Sequence, residues 1–299
     1  MPSRFRRQRV LIVGCGDIGL RAAALLPARV RLLALTSSPA RVGELRLLGI
    51  TALVGNLDAP ASLARLAGLA TRVIHLAPPP SSDPTGQLDP RTTALCRVLR
   101  RRGLPQAVVY GSTSGVYGDC QGQWVAETRA LNPLTPRAHR RVHAEATLRS
   151  MGRANGLPVH ILRIPGIYAT NRDGGTPRAR LLRGAPVLVR SDDVYTNHIH
   201  ADDLARACVA ALWRGKPQRV THVTDDTQLL MGDYFDLAAD LYGLPRPPRL
   251  TYAEAQRTQP AVQLSFMRES RRLRNSRLKR ELRLSLRYPT VAAGLLGCY

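Results

Sequence analysis

The stretch Gly14-Cys15-Gly16-Asp17-Ile18-Gly19 has the residue types and spacing that most directly imply chemistry. It follows the apolar run Val10–Val13 and precedes an Ala/Leu-rich segment, so it reads as the turn from a buried strand into a helix. Each glycine answers a different need. Gly14 allows a tight turn, Gly16 lets the backbone approach a pyrophosphate, and Gly19 permits close helix–strand packing. The helix start, with Asp17 and Ile18, then offers free N–H groups and a positive dipole end to phosphate oxygens. The alternative is a purely structural glycine turn. An NAD site usually places an Asp or Glu at the end of the second strand, for the ribose 2′-hydroxyl. Here that end reads Ala34-Leu35-Thr36-Ser37-Ser38-Pro39-Ala40-Arg41, with no acid. The hydroxyls of Thr36 and Ser37 and the charge of Arg41 suit a 2′-phosphate, which favours NADP and leaves NAD open; Arg41 as a plain surface residue is the alternative. Asp58, after the third strand, stands where a carboxylate accepts from an adenine amino group, or else caps the next helix.

Positioning these residues requires a regular scaffold. Strands are expected at Arg9–Val13, Val30–Leu35, Thr51–Val54, Val73–Ala77, Ala107–Gly111 and Val159–Ile164. Helices are expected between them at Asp17–Leu26, Pro39–Leu48, Ala59–Leu66, Thr92–Arg102 and Pro136–Ala154, with Pro or Gly at several of the stops. This alternation predicts an α/β protein: a Rossmann-type, doubly wound parallel sheet. After Pro165 the rhythm breaks, Gly, Pro and Asp become common, and a helix over Ala201–Trp213 follows. The expected division is a nucleotide-binding domain over 1–168, with 196–224 returning to it. A smaller C-terminal substrate domain is expected from 169–195 and 225–299.

The chain resembles the extended short-chain dehydrogenase/reductase family, the NAD-dependent epimerase/dehydratase type. The resemblance rests on the glycine loop, on Val73-Ile74-His75-Leu76-Ala77, on Tyr110-Gly111-Ser112-Thr113-Ser114-Gly115-Val116-Tyr117-Gly118, and on Leu162-Arg163-Ile164-Pro165-Gly166-Ile167-Tyr168. It continues through Asn197-His198-Ile199-His200-Ala201-Asp202-Asp203 and ends in Asn275-Ser276-Arg277-Leu278. It implies an NAD(P)-dependent oxidoreductase or epimerase/dehydratase, with Leu76, Ala77 and Pro165 joining the cofactor set. It also implies that Thr113 polarises a substrate oxygen, and that members pair through the helix beginning at Pro136, making a homodimer an expectation.

The family's Tyr-x-x-x-Lys pair is missing. With Glu145 as the glutamate that follows the pair, Arg137 takes the tyrosine position and Arg141 the lysine position. Arginine does not exchange protons near neutral pH, whereas a general acid or base should titrate near the working pH. Arg141 retains a fixed charge and donors for ribose hydroxyls, and Arg137 suits a clamp on a substrate carboxylate or phosphate. The two are one helical turn apart and share a face. His139 and His143 lie off that face and read as surface or core histidines. Tyr117 is the substitute acid nearest the site, or else a packing residue. His198 and His200 read as structural. The rival to an enzyme is a non-catalytic NAD(P) sensor or regulatory module, motivated by the two arginines.

Composition narrows the partners. Lys+Arg total 44 against 21 Asp+Glu, a formal charge of +23. The arginines are spread through the chain without aromatic interleaving, so a compositional bias explains the charge better than nucleic-acid binding. Arg268–Arg287, the densest basic run, reads as a solvated helix face followed by an extended end. A small molecule of unidentified structure is the expected partner. No apolar run is long enough for a membrane span, no secretory signal is legible, and no metal-ligand spacing occurs. Five scattered cysteines without a CxxC pair suggest reduced thiols and a cytoplasmic location.

Overall fold

Seven strands form one parallel sheet: β1 (Arg9–Val13), β2 (Arg31–Thr36), β3 (Thr51–Val54), β4 (Arg72–His75), β5 (Ala107–Thr113), β6 (Val159–Ile164) and β7 (Arg219–His222). The computed structural model describes residues 8–81 and 86–296. The sheet order is β7-β6-β5-β4-β1-β2-β3, so the chain winds outward from β1 in one direction and then returns to wind in the other. The crevice between β1 and β4 is therefore a topological switch point, where ligands of open α/β sheets bind. In register, Val13 faces Leu35 on one side and His75 on the other, which brings the carboxyl ends of three strands to one edge.

The strands are apolar because helices cover both faces of the sheet. Val10 and Ile12 point to a core shared with α1 (Asp17–Ala24), α2 (Arg41–Leu47) and α6 (Ala201–Arg214). Leu11 and Val13 point to the other, shared with α3 (Pro90–Leu99) and α4 (Pro136–Asn155). Strand alternation thus divides one tetrapeptide between two layers. Caps fix the helix starts: Asp89 accepts from Thr92 N at α3, Thr135 from Ala138 N at α4, and His200 from Asp202 N at α6.

The expected helix over Ala59–Leu66 is a 3₁₀ helix, Pro60–Leu66. A seventh strand, β7, joins the sheet beyond those the apolar runs announce. A third core gathers Tyr168, Val187, Tyr234, Phe235, Val291 and Leu295, between α5 (Arg178–Leu182), α7 (Met231–Tyr242) and the last turns of the chain. Short pairings tie the later segments back: Gly166–Tyr168 beside His198–His200, and Trp124–Val125 beside Arg272–Leu273.

Arg268–Arg287 is not a solvated helix face. Only Ser276–Arg280 is helical, and Leu273, Leu278, Leu282 and Leu284 are buried. Its basic residues reach back into the body: Arg271 to Gly118 O, Arg272 to Gly122 O and Arg277 to Val220 O. Buried Asp203 holds the end of this strap by accepting from the Arg287 and Tyr288 amides. Cys15, Cys96, Cys120 and Cys208 are free and buried, and Cys298 lies outside the described residues. No described helix is long and apolar enough to cross a membrane, and no metal-binding group of side chains occurs among the described residues.

Candidate functional site

A cleft of about 770 Å³ opens at the switch point. At its floor, Gly14 sits at φ +84°, and an added Cβ would stand 2.4 Å from Ala77 N and 2.6 Å from Ala77 Cα. Ala77 N in turn donates to Val13 O, so β1 and the end of β4 meet with no room for a side chain. Gly19 faces Gly14 O and Ile12, where a Cβ would find both at 3.1 Å. Gly16 is different. A Cβ there would meet nothing within 4 Å, and the residue lines the cleft directly before α1. Two glycines are required by packing, and the third keeps open space open.

Asp17 and Ile18 line the cleft at the start of α1. The Asp17 carboxylate accepts from Arg21 and Arg172; burial works to raise its pKa, but those two partners outweigh it and leave it below the usual carboxylate range. Thr36, Ser37 and Arg41 line the end beside β2. The Arg41 guanidinium donates to Cys15 O at 2.8 Å and pairs with Glu44, which holds it over the glycine loop. Leu76 and Pro165 line the middle of the cleft.

Two expected cofactor residues stand elsewhere. Ala77 is underneath Gly14 rather than in the cleft lining. Both Asp58 oxygens accept from Arg91, at 2.7 and 2.6 Å, so the carboxylate is engaged in an ion pair outside the lining rather than turned toward an adenine.

At the far end, Thr113 closes β5 and its hydroxyl accepts from Gly115 N at 3.2 Å. Arg141 donates to Gly111 O at 2.7 Å and to the Tyr110 hydroxyl at 3.0 Å, so β5 holds it beside Thr113. Arg137, one turn earlier on α4, lines the same cleft with the Phe266 ring 4.9 Å beneath its guanidinium.

Tyr117 is the clearest correction. It is 1 % exposed and outside the cleft lining. Its hydroxyl receives a hydrogen bond from Arg163 and donates to His222 Nε2 at 2.6 Å, consistent with a His222 Nδ1–H directed at Arg274 O. Burial pushes its pKa up to about 12, so it is a structural group and not an acid for the cleft. Arg163 also makes a bidentate pair with Glu145, at 3.1 and 2.7 Å, and Ser112 donates to the same carboxylate at 2.6 Å. This buried network ties β5, β6 and α4 together just behind Thr113.

His198 is fully enclosed against Tyr234, His200 stacks on Tyr288, and His143 accepts from the Asp89 amide. None of these histidines, nor His139, lines the cleft. The sequence reading missed Glu269 and Arg271, which line the cleft from the C-terminal strap and bond each other at 2.8 Å. Their only signal was one acid among many arginines, and the strap's path depends on contacts more than a hundred residues away.

The chain belongs to the NAD-dependent epimerase/dehydratase family, whose pattern it matches over residues 10–223. Its fold is similar to that of a conserved protein of unknown function from Silicibacter pomeroyi, at 29% identity and a TM-score of 0.79, with 97% of each chain covered. It is also similar to UDP-glucuronic acid 4-epimerase from Bacillus cereus, solved in complex with NAD, at 18% identity and a TM-score of 0.75, covering 97% of this chain and 96% of that one. UDP-glucose 4-epimerase from Thermotoga maritima, solved with UDP-glucose, gives 18% identity and a TM-score of 0.77 over 97% and 96%. No protein of curated function matches the sequence.

Proposed function

We propose that this chain holds NADP(H), with NAD(H) as the weaker ligand, in the switch-point cleft and serves hydride transfer to or from a small-molecule substrate. The observation that carries the reading is Gly16: it borders open space at the first turn of α1, while a Cβ on Gly14 would strike the Leu76–Ala77 backbone and one on Gly19 would press on Gly14 O and the Ile12 side chain. A pyrophosphate fits where a side chain is absent and N–H groups converge. Ser37 offers a hydroxyl and Arg41 a guanidinium edge for a 2′-phosphate, while the Thr36 hydroxyl already donates to Ser38 O and Arg41 is paired with Glu44 beside the lining.

When bound, the nicotinamide supplies the hydride acceptor or donor. The chain's own residues then have limited roles. Arg141 has two donors committed to β5 and presents the rest of its guanidinium to ribose hydroxyls. The Thr113 oxygen accepts from Gly115 N, so its hydroxyl proton is free for a substrate oxygen. Neither residue type serves as a general acid or base near neutral pH. The reading therefore requires the substrate or solvent to exchange the proton, or a group outside the family's usual pair.

A second reading, a nucleotide-binding module without chemistry, is favoured by arginines at both positions of the absent pair and by the enclosure of Tyr117. One experiment separates the two. NADPH fluorescence reports binding, and nicotinamide absorbance reports turnover against UDP-sugars, hydroxy acids and keto acids. Binding with turnover supports the enzyme, binding without turnover supports the module, and no binding refutes both.

A further inference from the structure

The substrate end of the cleft carries more positive charge than its own carboxylate balances. Three guanidiniums line it, those of Arg137, Arg141 and Arg271, against the single carboxylate of Glu269. Arg172 lines the cleft too, but its charge is met by Asp17. Arg141 is held by Tyr110 and Gly111, and Arg271 donates to Glu269 and Gly118 O. Arg137 alone of the three has no hydrogen-bond or ion-pair partner among the described residues; its contact is the face of Phe266.

Position adds to charge. Thr113 Oγ1 and Glu269 Oε2 lie 3.6 and 3.9 Å from the point where a Cβ on Gly115 would stand, so the strap brings its Glu269–Arg271 pair to the end of β5. Arg137 is on the helix turn next to Arg141, which bonds Gly111 on that strand. It is also in the first turn of α4, where the helix dipole favours a negative charge.

We propose that Arg137 is the receptor for an oxyanion on the substrate, a carboxylate or a phosphate held beside the reacting carbon. The substrate class is then a small hydroxy or keto acid, or a phosphate ester of similar size. This rests on the dinucleotide reading for which end of the cleft is reactive. An unpaired guanidinium stacked on an aromatic face presents a planar edge of donors, which suits bidentate recognition of carboxylate or phosphate. Partial burial works to lower the Arg137 pKa, Glu269 works to raise it, and Arg141 and Arg271 lower it further. An incoming anion offsets the cost of both the burial and the repulsion. A neutral sugar hydroxyl relieves neither.

The test is calorimetric titration of the NADPH-saturated protein, in a chloride buffer free of oxyanions, with malonate, inorganic phosphate and neutral malonamide. At least one anion is expected to bind tenfold or more tightly than malonamide. Arg137→Gln is expected to remove that advantage while NADPH affinity and thermal midpoint stay unchanged, and Arg137→Lys to restore part of it. Malonate ahead of phosphate assigns a carboxylate substrate, and the reverse order a phosphate ester. Equal binding of anions and malonamide, or full anion affinity in Arg137→Gln, overturns the proposal. Absence of NADPH binding refutes the dinucleotide reading instead, and the same titrations on the free protein then decide Arg137 by the same criteria.

Discussion

Replacing Gly14 or Gly16 by alanine adds the same methyl group two residues apart, and the structure assigns opposite consequences. At Gly14 the new Cβ would stand 2.4 Å from Ala77 N and 2.8 Å from Leu76 C, and φ is +84°. The left-handed backbone costs an L-residue about 1–2 kcal/mol. Forcing apart two strand ends that cannot rotate away costs about 1–3 kcal/mol more. The sum, roughly 2–5 kcal/mol, lowers the thermal midpoint of a chain of 299 residues by about 3–8 °C. At Gly16 the backbone is at φ −87°, and the new Cβ meets nothing within 4 Å. Stability should change by no more than about 0.5 kcal/mol. The methyl group instead occupies space proposed for the pyrophosphate, and NADPH affinity should fall at least tenfold, about 1.4 kcal/mol. Thermal unfolding and NADPH fluorescence titration on the same two proteins read both quantities. A Gly16→Ala protein with wild-type affinity would show that the space beside Gly16 does not hold the pyrophosphate, and one destabilised as much as Gly14→Ala would show that the space is not open.

Tyr117→Phe should cost about 1–2 kcal/mol through the lost bonds to Arg163 and His222. Its NADPH affinity should not change; reduced affinity at unchanged stability would return Tyr117 to the site. Arg41→Ala should weaken NADPH several-fold and leave NADH binding nearly unaltered, and equal effects on the two nucleotides would remove Arg41 from 2′-phosphate recognition. Burial holds His75, His198 and His222 near pKa 3 and His160 near 4, against 6.5 when exposed. The unfolded chain therefore binds more protons between those values, and stability falls as pH drops through that window, by about 2 kcal/mol per histidine at pH 5. Asp225, raised by burial to about 7, works in the opposite direction, one carboxyl against four imidazoles. The thermal midpoint should thus drop steeply below about pH 6, and a midpoint unchanged down to acid pH would show that these histidines are not held neutral.

Much of the parallel-sheet half was legible because its signals are local. Strands buried on both faces read as short apolar runs, and Gly or Pro ends many of the intervening helices. The expected β2, Val30–Leu35, differs from the observed Arg31–Thr36 by one residue at each end. β7 was not legible as a strand, since Arg-Val-Thr-His is short and holds a single aliphatic residue, and its place beside β6 is set from a distance. The same limit explains the strap. Leu273, Leu278 and Leu282 among arginines look like a solvated amphipathic face until Asn197 is seen bonding the Leu273 amide and the Arg271 carbonyl. At the site, residue types at fixed spacing pointed to the glycine loop and the family resemblance to both arginines, and all of them line the cleft. The partners that decide what a side chain does lay far off in sequence: His222 for Tyr117, Arg91 for Asp58, and Phe266 for Arg137.

A crystal structure of the protein grown with saturating NADPH decides whether the switch-point cleft is the dinucleotide site. The pyrophosphate is expected on the amides at the start of α1 beside Gly16, the 2′-phosphate at Arg41, and the nicotinamide beside Thr113 and Arg141. A cleft that stays empty under those conditions, or a nucleotide bound elsewhere on the surface, would contradict that placement.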